Sequence, residues 1–322
     1  MLSRTADHLF WMARYMERAE NTARMLDVNY QMSLLPHSAD EAEQGWRGVL
    51  GISELTALFR ERYPDVDARH VLDFMVRDAG NASSIVSCIA AARENARAVR
   101  GTLTTEVWET TNQTWLEFDR MLRNGGDFQR DPSALFEWVK FRSHLSRGVT
   151  VGTMLQDEAL HFLRIGTFLE RADNTARLLD VKFQTLAGDY HGVAGARNDA
   201  QEVDFYHWSA VLRSVSGFEV YRKVYRNVIR PDKVAELLIL RPDMPRSLAA
   251  CMNEVVANLH PVANAQSAET LRRAGRIKSD LQYGRIDEIL ATGLHAYLTQ
   301  FLDRVGDLGV GISRDFLVPM AA

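Results

Sequence analysis

The chain has 322 residues, 46% hydrophobic and 25% charged, with a net charge of −4, enough for two helical cores at about 150 residues per domain. The acidic balance argues against a protein built to neutralise phosphates, and therefore against nucleic acid as a partner. No apolar run approaches the roughly 18 residues needed to span a bilayer, and Arg4, Asp7, Arg14 and Glu17 interrupt any secretory h-region, so the expectation is a cytoplasmic protein with no membrane partner.

Apolar residues recur at a spacing near 3.6 almost throughout, and no period-2 alternation is sustained, which predicts an all-α helical bundle. The first predicted helix, HLFWMARYMERAENTARMLDVNYQ, carries Leu9, Met12, Met16, Ala19, Ala23, Leu26 and Tyr30 in steps of three and four. That is a packing seam with alanines at its centre, which lets a partner backbone come close. Arg14, Glu17, Asn21 and Arg24 fall together on a flank away from this seam, next to the adjacent motif residue Arg18. Phe10, Trp11, Tyr15, Met25 and Val28 make the helix apolar nearly all round, and such a helix is normally buried.

Breaks follow at LLPHSADEAEQG, RYPDVDA, RDAGNAS and RNGGDFQRDPS, which carry the Gly, Pro, Asn and Asp punctuation of turns. The helical segment between the last two holds Asn95, Arg97, Arg100, Glu106, Trp108, Glu109 and Asn112. It reads either as a solvated amphipathic face with i,i+4 pairs or as a second wall of a polar cleft. DPSALFEWV reads as a helix start with Ser133 as its cap or first-turn residue. A boundary near residue 150, within LSRGVTVGTMLQDEAL, divides the chain into 1–150 and 151–322, although that segment could equally be one continuous helix.

The motif helix then returns. HFLRIGTFLERADNTARLLDVKFQ aligns on the first copy without a gap, pairing His161 with His8, Glu170 with Glu17, Arg171 with Arg18, Asn174 with Asn21 and Arg177 with Arg24. Its seam, Phe162, Ile165, Leu169, Ala172, Ala176, Leu179 and Phe183, keeps the same rhythm, so the two copies are expected to pack on each other. Weaker echoes bring Trp46 onto Trp208 and Cys88 onto Cys251. The expectation is two pseudo-repeated halves of five or six helices each. Further turns are read at AGDYHGVAGARNDAQ, IRPDK, RPDMPRS and YGRI. RPDMPRS reads as helix-start chemistry with Asp243 in or near the cap, and Arg241 and Arg246 beside a helix N-terminus could also hold an anion.

Charges on a buried helix must be paired or must line a cavity, because desolvating an isolated carboxylate or guanidinium costs several kcal/mol. One reading is an internal network in which Glu17 pairs with Arg14 or Arg24 and Asn21 bridges. The other is a cleft between the halves, where arginines hold a carboxylate or phosphate and a glutamate acts as a base or recognises an amine. No cofactor is implied: there is no phosphate loop and no nucleophile elbow. Cys88 and Cys251 form no CxxC pair and read as buried thiols. Glu158 with His161, and Asp204 with His207, have the Glu-x-x-His spacing of di-metal bundles. Thr5 stands where the first repeat would need its acid, however, and Asp204 is not a glutamate, so satisfied histidines are the better reading and no metal is assigned.

The opening MLSRTADHLFWMARYMERAENTARMLDV, RENARAVRGTLTTEVWETTN, FLERADNTARLLDV and RPDMPRSL together resemble the bacterial Alpha-E domain family, over essentially the whole chain. The resemblance places the family's Glu-Arg pairs on Glu17-Arg18 and Glu170-Arg171. One departure is Thr167, where Arg14 of the first copy leads one to expect an arginine, so the second cluster is expected to be weaker. The family implies genomic association with an ATP-grasp ligase and a transglutaminase-like peptidase. From it follows a role as an accessory or scaffold partner in peptide or amide ligation, presenting a peptide or acidic small-molecule ligand. The alternative is an enzyme in which Glu17 or Glu170 is the acid/base and Arg18, Arg24, Arg171 or Arg177 hold an anion.

Overall fold

Among the described residues, proline and glycine punctuation separates fifteen α-helices, and there is no strand. The computed structural model describes residues 1–35, 39–124, 131–189 and 197–317. The turns read at 36–38, 125–130 and 190–196 lie outside these, as do the side chains of Phe183 and Asp204. In chain order the helices are α1 (Ser3–Ser33), α2 (Ala39–Ile52), α3 (Thr56–Arg60), α4 (Ala68–Val76), α5 (Ile85–Ala98), α6 (Thr105–Asn124) and α7 (Pro132–Thr153). There follow α8 (Glu158–Asp189), α9 (Arg197–Ser214), α10 (Phe218–Tyr225), α11 (Pro231–Ile239), α12 (Leu248–Leu259), α13 (Ala268–Tyr283), α14 (Ile286–Thr292) and α15 (Leu294–Ile312), closed by a π-turn at Ser313–Leu317.

Seven helices precede Thr153 and eight follow, more than the five or six per half read from the sequence. The surplus is in short helices such as α3, five residues long, and α14, seven residues long, because one or two turns give too few apolar repeats to register as a period. A helix does run through residue 150, but it does not cross the whole segment: α7 ends at Thr153, and α8 begins at Glu158, where the Asp157 carboxylate accepts the Ala159 and Leu160 N–H groups. Ser133 lies in the first turn of α7, whose cap is Asp131, accepting the Ala134 N–H. At α12 the start differs from the reading: Ser247, not Asp243, accepts the Ala250 N–H.

The two motif helices are the axis of the molecule. α1 runs free of Gly and Pro for 31 residues, rich in the straight-chain residues and alanine that favour helix. It packs along α8, whose seam residues Ile165, Ala172, Ala176 and Leu179 are fully buried, as are Leu9, Ala19, Ala23 and Leu26 of α1. Around them, α5 and α7 lie on α1 while α12 and α15 lie on α8; α6 closes against α5 and α7, and α13 against α12 and α15. α9 reaches back to α1 and α2 crosses to α8. One apolar cluster runs through the whole, with Trp46 and Trp208 among its largest buried side chains.

The closest approach is at Gly166, where a β-carbon would stand 2.3 Å from the Phe10 carbonyl oxygen of α1. That atom belongs to a helix backbone and cannot swing aside. Gly166→Ala is therefore expected to destabilise by about 1–3 kcal/mol through overpacking, against the helix-propensity gain of about 1 kcal/mol. Gly148→Ala in α7, where a β-carbon meets nothing within 4 Å, should show that gain alone. Urea unfolding of the two variants checks the contrast, and a stabilised Gly166→Ala would contradict the packing.

Candidate functional site

Helix geometry turns the polar flanks of α1 and α8 toward each other, and their motif residues exchange partners. Arg171 donates from Nε to Glu17 Oε1 at 2.8 Å and from Nη2 to Oε2 at 2.9 Å. In return Arg18 donates from Nε to Glu170 Oε1 at 2.6 Å and from Nη2 to Oε2 at 3.1 Å. Each is a two-pronged guanidinium–carboxylate pair, the strong form of such a bond. Each helix supplies a carboxylate to the other and takes a cation back.

More partners gather on the Glu17 side. Arg246, from the turn ahead of α12, donates from Nη1 to Glu17 Oε1 at 3.1 Å and Asn21 Oδ1 at 2.8 Å, and from Nη2 to Glu20 Oε1 at 2.5 Å. Glu20, with no exposed surface, also accepts from Arg24 Nε at 2.8 Å and Ser143 Oγ at 2.7 Å. Arg147 of α7 bridges Glu17 and Glu20. Beyond Glu20, Arg24 donates to Ser216 Oγ at 2.6 Å and to His144 Nε2 at 2.9 Å, so that ring nitrogen is an acceptor. On the other side Glu170 takes only Arg14 Nε, at 2.7 Å, besides Arg18.

Burial by itself pushes all three glutamates up, and the guanidiniums reverse the direction. Glu17 is held below the usual carboxylate range by Arg171 and Arg246, Glu20 well below it by Arg246, the neighbouring His144 and Arg147, and Glu170 below it by Arg14 and Arg18. Arg18 and Arg171 shift the other way because each faces a carboxylate strong enough to outweigh its burial. Arg246 alone is lowered: it is the deepest, and Arg171 and Arg24 crowd it with like charge. A guanidinium so lowered still stays charged near neutrality. Burial raises the thiols of Cys88 and Cys251 to about 12, which leaves neither poised as a nucleophile.

The pairing differs from the one expected from α1 alone. Glu17 bonds neither Arg14 nor Arg24; Arg14 crosses to Glu170, and Arg24 turns back to Glu20. The reason is that α8 brings guanidiniums closer than the α1 turn spacing can. Asn21 joins through its carbonyl oxygen, and its buried Nδ2 has no partner. Asn174 and Arg177 stand apart from the network. Arg177 instead holds Asp173, with Nε donating at 2.8 Å, and pairs with Glu54. Thr167 bonds its own helix at the Leu163 carbonyl, so Arg14 has no counterpart in α8.

Members not singled out in the sequence include Glu20, Ser143, Arg147, and His144 and Ser216 at the far end of Arg24. Glu20 left a trace, an acid one turn from Glu17 in an apolar helix, with Asp173 at the aligned position. Ser143 and Arg147 gave none, because their role depends on where α7 lies. Arg246 was read as an anion holder, and the anions it holds are the protein's own carboxylates. Of the polar residues read across α5 and α6, Asn95 bonds α1, accepting from His8 Nδ1 at 2.8 Å. His161 Nδ1 meets Asn258 Oδ1 at 2.9 Å, and Glu158 pairs with the amino group of Met1. Among the described residues no three His, Cys, Asp or Glu side chains form a metal-binding group, and no helix is long and apolar enough to cross a membrane.

A family model, Alpha-E, described as a predicted alpha-helical domain with a conserved ER motif, matches residues 1–317. Uncharacterized proteins of Mycobacterium bovis and Mycobacterium tuberculosis are 25% identical over 327 residues, covering 93% of this chain and 35% of each relative. The chain thus spans about a third of the length of the curated relatives it matches. No solved structure matches it.

Two outcomes test the network. Glu17→Ala strands the buried Arg171 and Arg246 and should cost about 3–5 kcal/mol. Glu170→Ala should cost less, because the side chains of Arg14 and Arg18 are 18% and 26% exposed and can rehydrate. Equal losses in chemical unfolding would contradict this asymmetry. Because all three carboxylates titrate lower in the fold than in the open chain, their stabilisation is present above about pH 4.5 and lost as pH falls through the lower folded values. Thermal midpoints should therefore hold from neutrality to that point and drop below it, and in Glu20→Gln the drop should be shallower.

Proposed function

We propose that this chain, which belongs to the Alpha-E family, is a non-catalytic scaffold that presents a peptide or acidic ligand to an ATP-grasp amide ligase, with a transglutaminase-like peptidase as a second partner. The observation that carries this reading is the state of the motif carboxylates: Glu17 and Glu170 are buried, held ionised and bound by two or more guanidiniums each. A general acid or base needs a pKa near the working pH and room for substrate within hydrogen-bond reach. Neither glutamate has that freedom, so the enzyme reading loses its named acid/base. The ligase and peptidase come from the family resemblance. The longer mycobacterial relatives, in which the matched part is about a third of the chain, are consistent with a domain that works beside other machinery.

The same reading takes the chain as two pseudo-repeated halves, 1–150 and 151–322. Paired contacts support it. The Glu17–Arg171 and Glu170–Arg18 bonds are reciprocal, as in an interface between two copies of one surface. His8 on Asn95 has its counterpart in His161 on Asn258. Ser84 caps α5 as Ser247 caps α12, and each cap precedes a buried cysteine, Cys88 and Cys251.

Affinity purification of the tagged chain from its native cells, at about 0.1 M salt to preserve charged contacts, should recover the ligase. The purified chain with ATP and peptide should form or cleave no amide bond. Turnover by the chain alone, or recovery of neither ligase nor peptidase, would overturn the proposal.

A further inference from the structure

α1, α8 and α15 border a half-open recess of about 280 Å³ at the surface, near the lower bound of the roughly 300–1,000 Å³ of small-molecule sites and enough for one residue of a peptide. Its α1 wall is Phe10, Trp11 and Arg14, its α8 wall includes Asp173, and its α15 wall carries Gly306 and Gly309. Apolar surface, a cation and a carboxylate therefore line one small space.

Three features of this wall point to a ligand. Arg14 spends only Nε on Glu170, and its two Nη groups make no hydrogen bond among the described residues. Its guanidinium lies 4.9 Å from the Trp11 ring centroid and 5.6 Å from that of Phe10, which fixes the plane of those open donors. Arg14 and Arg18 also share a single carboxylate, Glu170, whereas on the facing wall Arg177 is met by two, Asp173 and Glu54. Asp173 accepts two hydrogen bonds from Arg177, and a carboxylate with about four acceptor positions has capacity left. Gly306 lies inside a helix, where glycine costs stability, and a β-carbon there would meet nothing within 4 Å. Gly306 is exposed at the mouth of the recess, so a side chain added there would extend over the opening.

We propose that this recess binds the free-carboxylate end of a peptide whose last residue is apolar or aromatic. The carboxylate sits on the Arg14 Nη groups, the terminal side chain lies against Phe10 and Trp11, and the last peptide N–H points to Asp173. This deepens the scaffold reading and rests on it for the role of the peptide: a ligand bearing a free acid is what a carboxylate-activating ligase consumes.

Calorimetric titration of the whole chain with N-acetyl-leucyl-phenylalanine, as the free acid and as its C-terminal amide, tests the site. The acid should saturate, and the amide should bind at least about tenfold more weakly. Gly306→Leu covers the opening and should weaken the acid at least about tenfold while leaving the unfolding midpoint unchanged or raised. Arg14→Gln should erase the preference for acid over amide. Equal affinity for acid and amide, undiminished binding by a folded Gly306→Leu, or no saturation by the acid at about 1 mM would each overturn the assignment. Should Gly306→Leu fail to fold, the acid–amide comparison on the unaltered chain decides. Ligase capture without peptide binding would sink this site and leave the scaffold reading standing, and peptide binding without ligase capture would do the reverse.

Discussion

Three carboxylates lie in the middle of this molecule with almost no access to water, and most of its architecture follows from keeping them charged. Each ionised group would be intolerable alone at that depth. Glu17, Glu20 and Glu170 are tolerated because Arg14, Arg18, Arg24, Arg147, Arg171 and Arg246 reach them. Those cations reach only if α1 and α8 run side by side, which depends on Ala19, Ala23, Ala172, Ala176 and the bare backbone at Gly166. Small residues set the helix spacing, the spacing sets the ion pairs, and the ion pairs fix the register in which the remaining helices pack.

The all-helical class and the central pair of helices were legible because α1 and α8 are long and strictly periodic, and because burial of an apolar helix forces its charges into pairs. Partner identity was not legible. From α1 alone Glu17 had two candidate arginines, Arg14 one turn away and Arg24 two turns away, yet the fold supplies Arg171 and Arg246, which sequence spacing does not relate to it. Short helices were missed where one or two turns could not establish a period, and the cap ahead of α12 was misplaced because Asp243, Arg241 and Ser247 all suit a helix start. Asp243 instead pairs with Arg241, leaving Ser247 to bond the helix. Recess residues such as Gly306 left no sequence signal, since their meaning lies in what three separate helices leave empty.

The two sides of the α1–α8 interface are unequal, and the inequality separates two jobs. Around Glu17 and Glu20, cations arrive from α1, α7, α8 and the turn ahead of α12, and the carboxylates themselves are sealed while Arg147 reaches the surface. Around Glu170 they arrive from α1 alone, as Arg14 and Arg18, and one of these borders open space. The substitutions behind this are few: Thr167 aligned with Arg14, Ser83 with Arg246, and Asp173 with Glu20. A sealed cluster holds the helices in register. An open one leaves a guanidinium with donors to spare.

The bond from Arg246 to Glu17 closes a loop of 229 residues. A ribosome adding about 5–20 residues per second needs roughly 10–45 s to make the second partner after the first. Through that interval α1 has been synthesised while Arg171 and then Arg246 do not yet exist, and Glu17 and Glu20 remain hydrated on an otherwise apolar helix. Enclosing those charges costs least once their partners exist, so the sealed arrangement around Glu17 and Glu20 has to wait for the second motif helix and the turn ahead of α12.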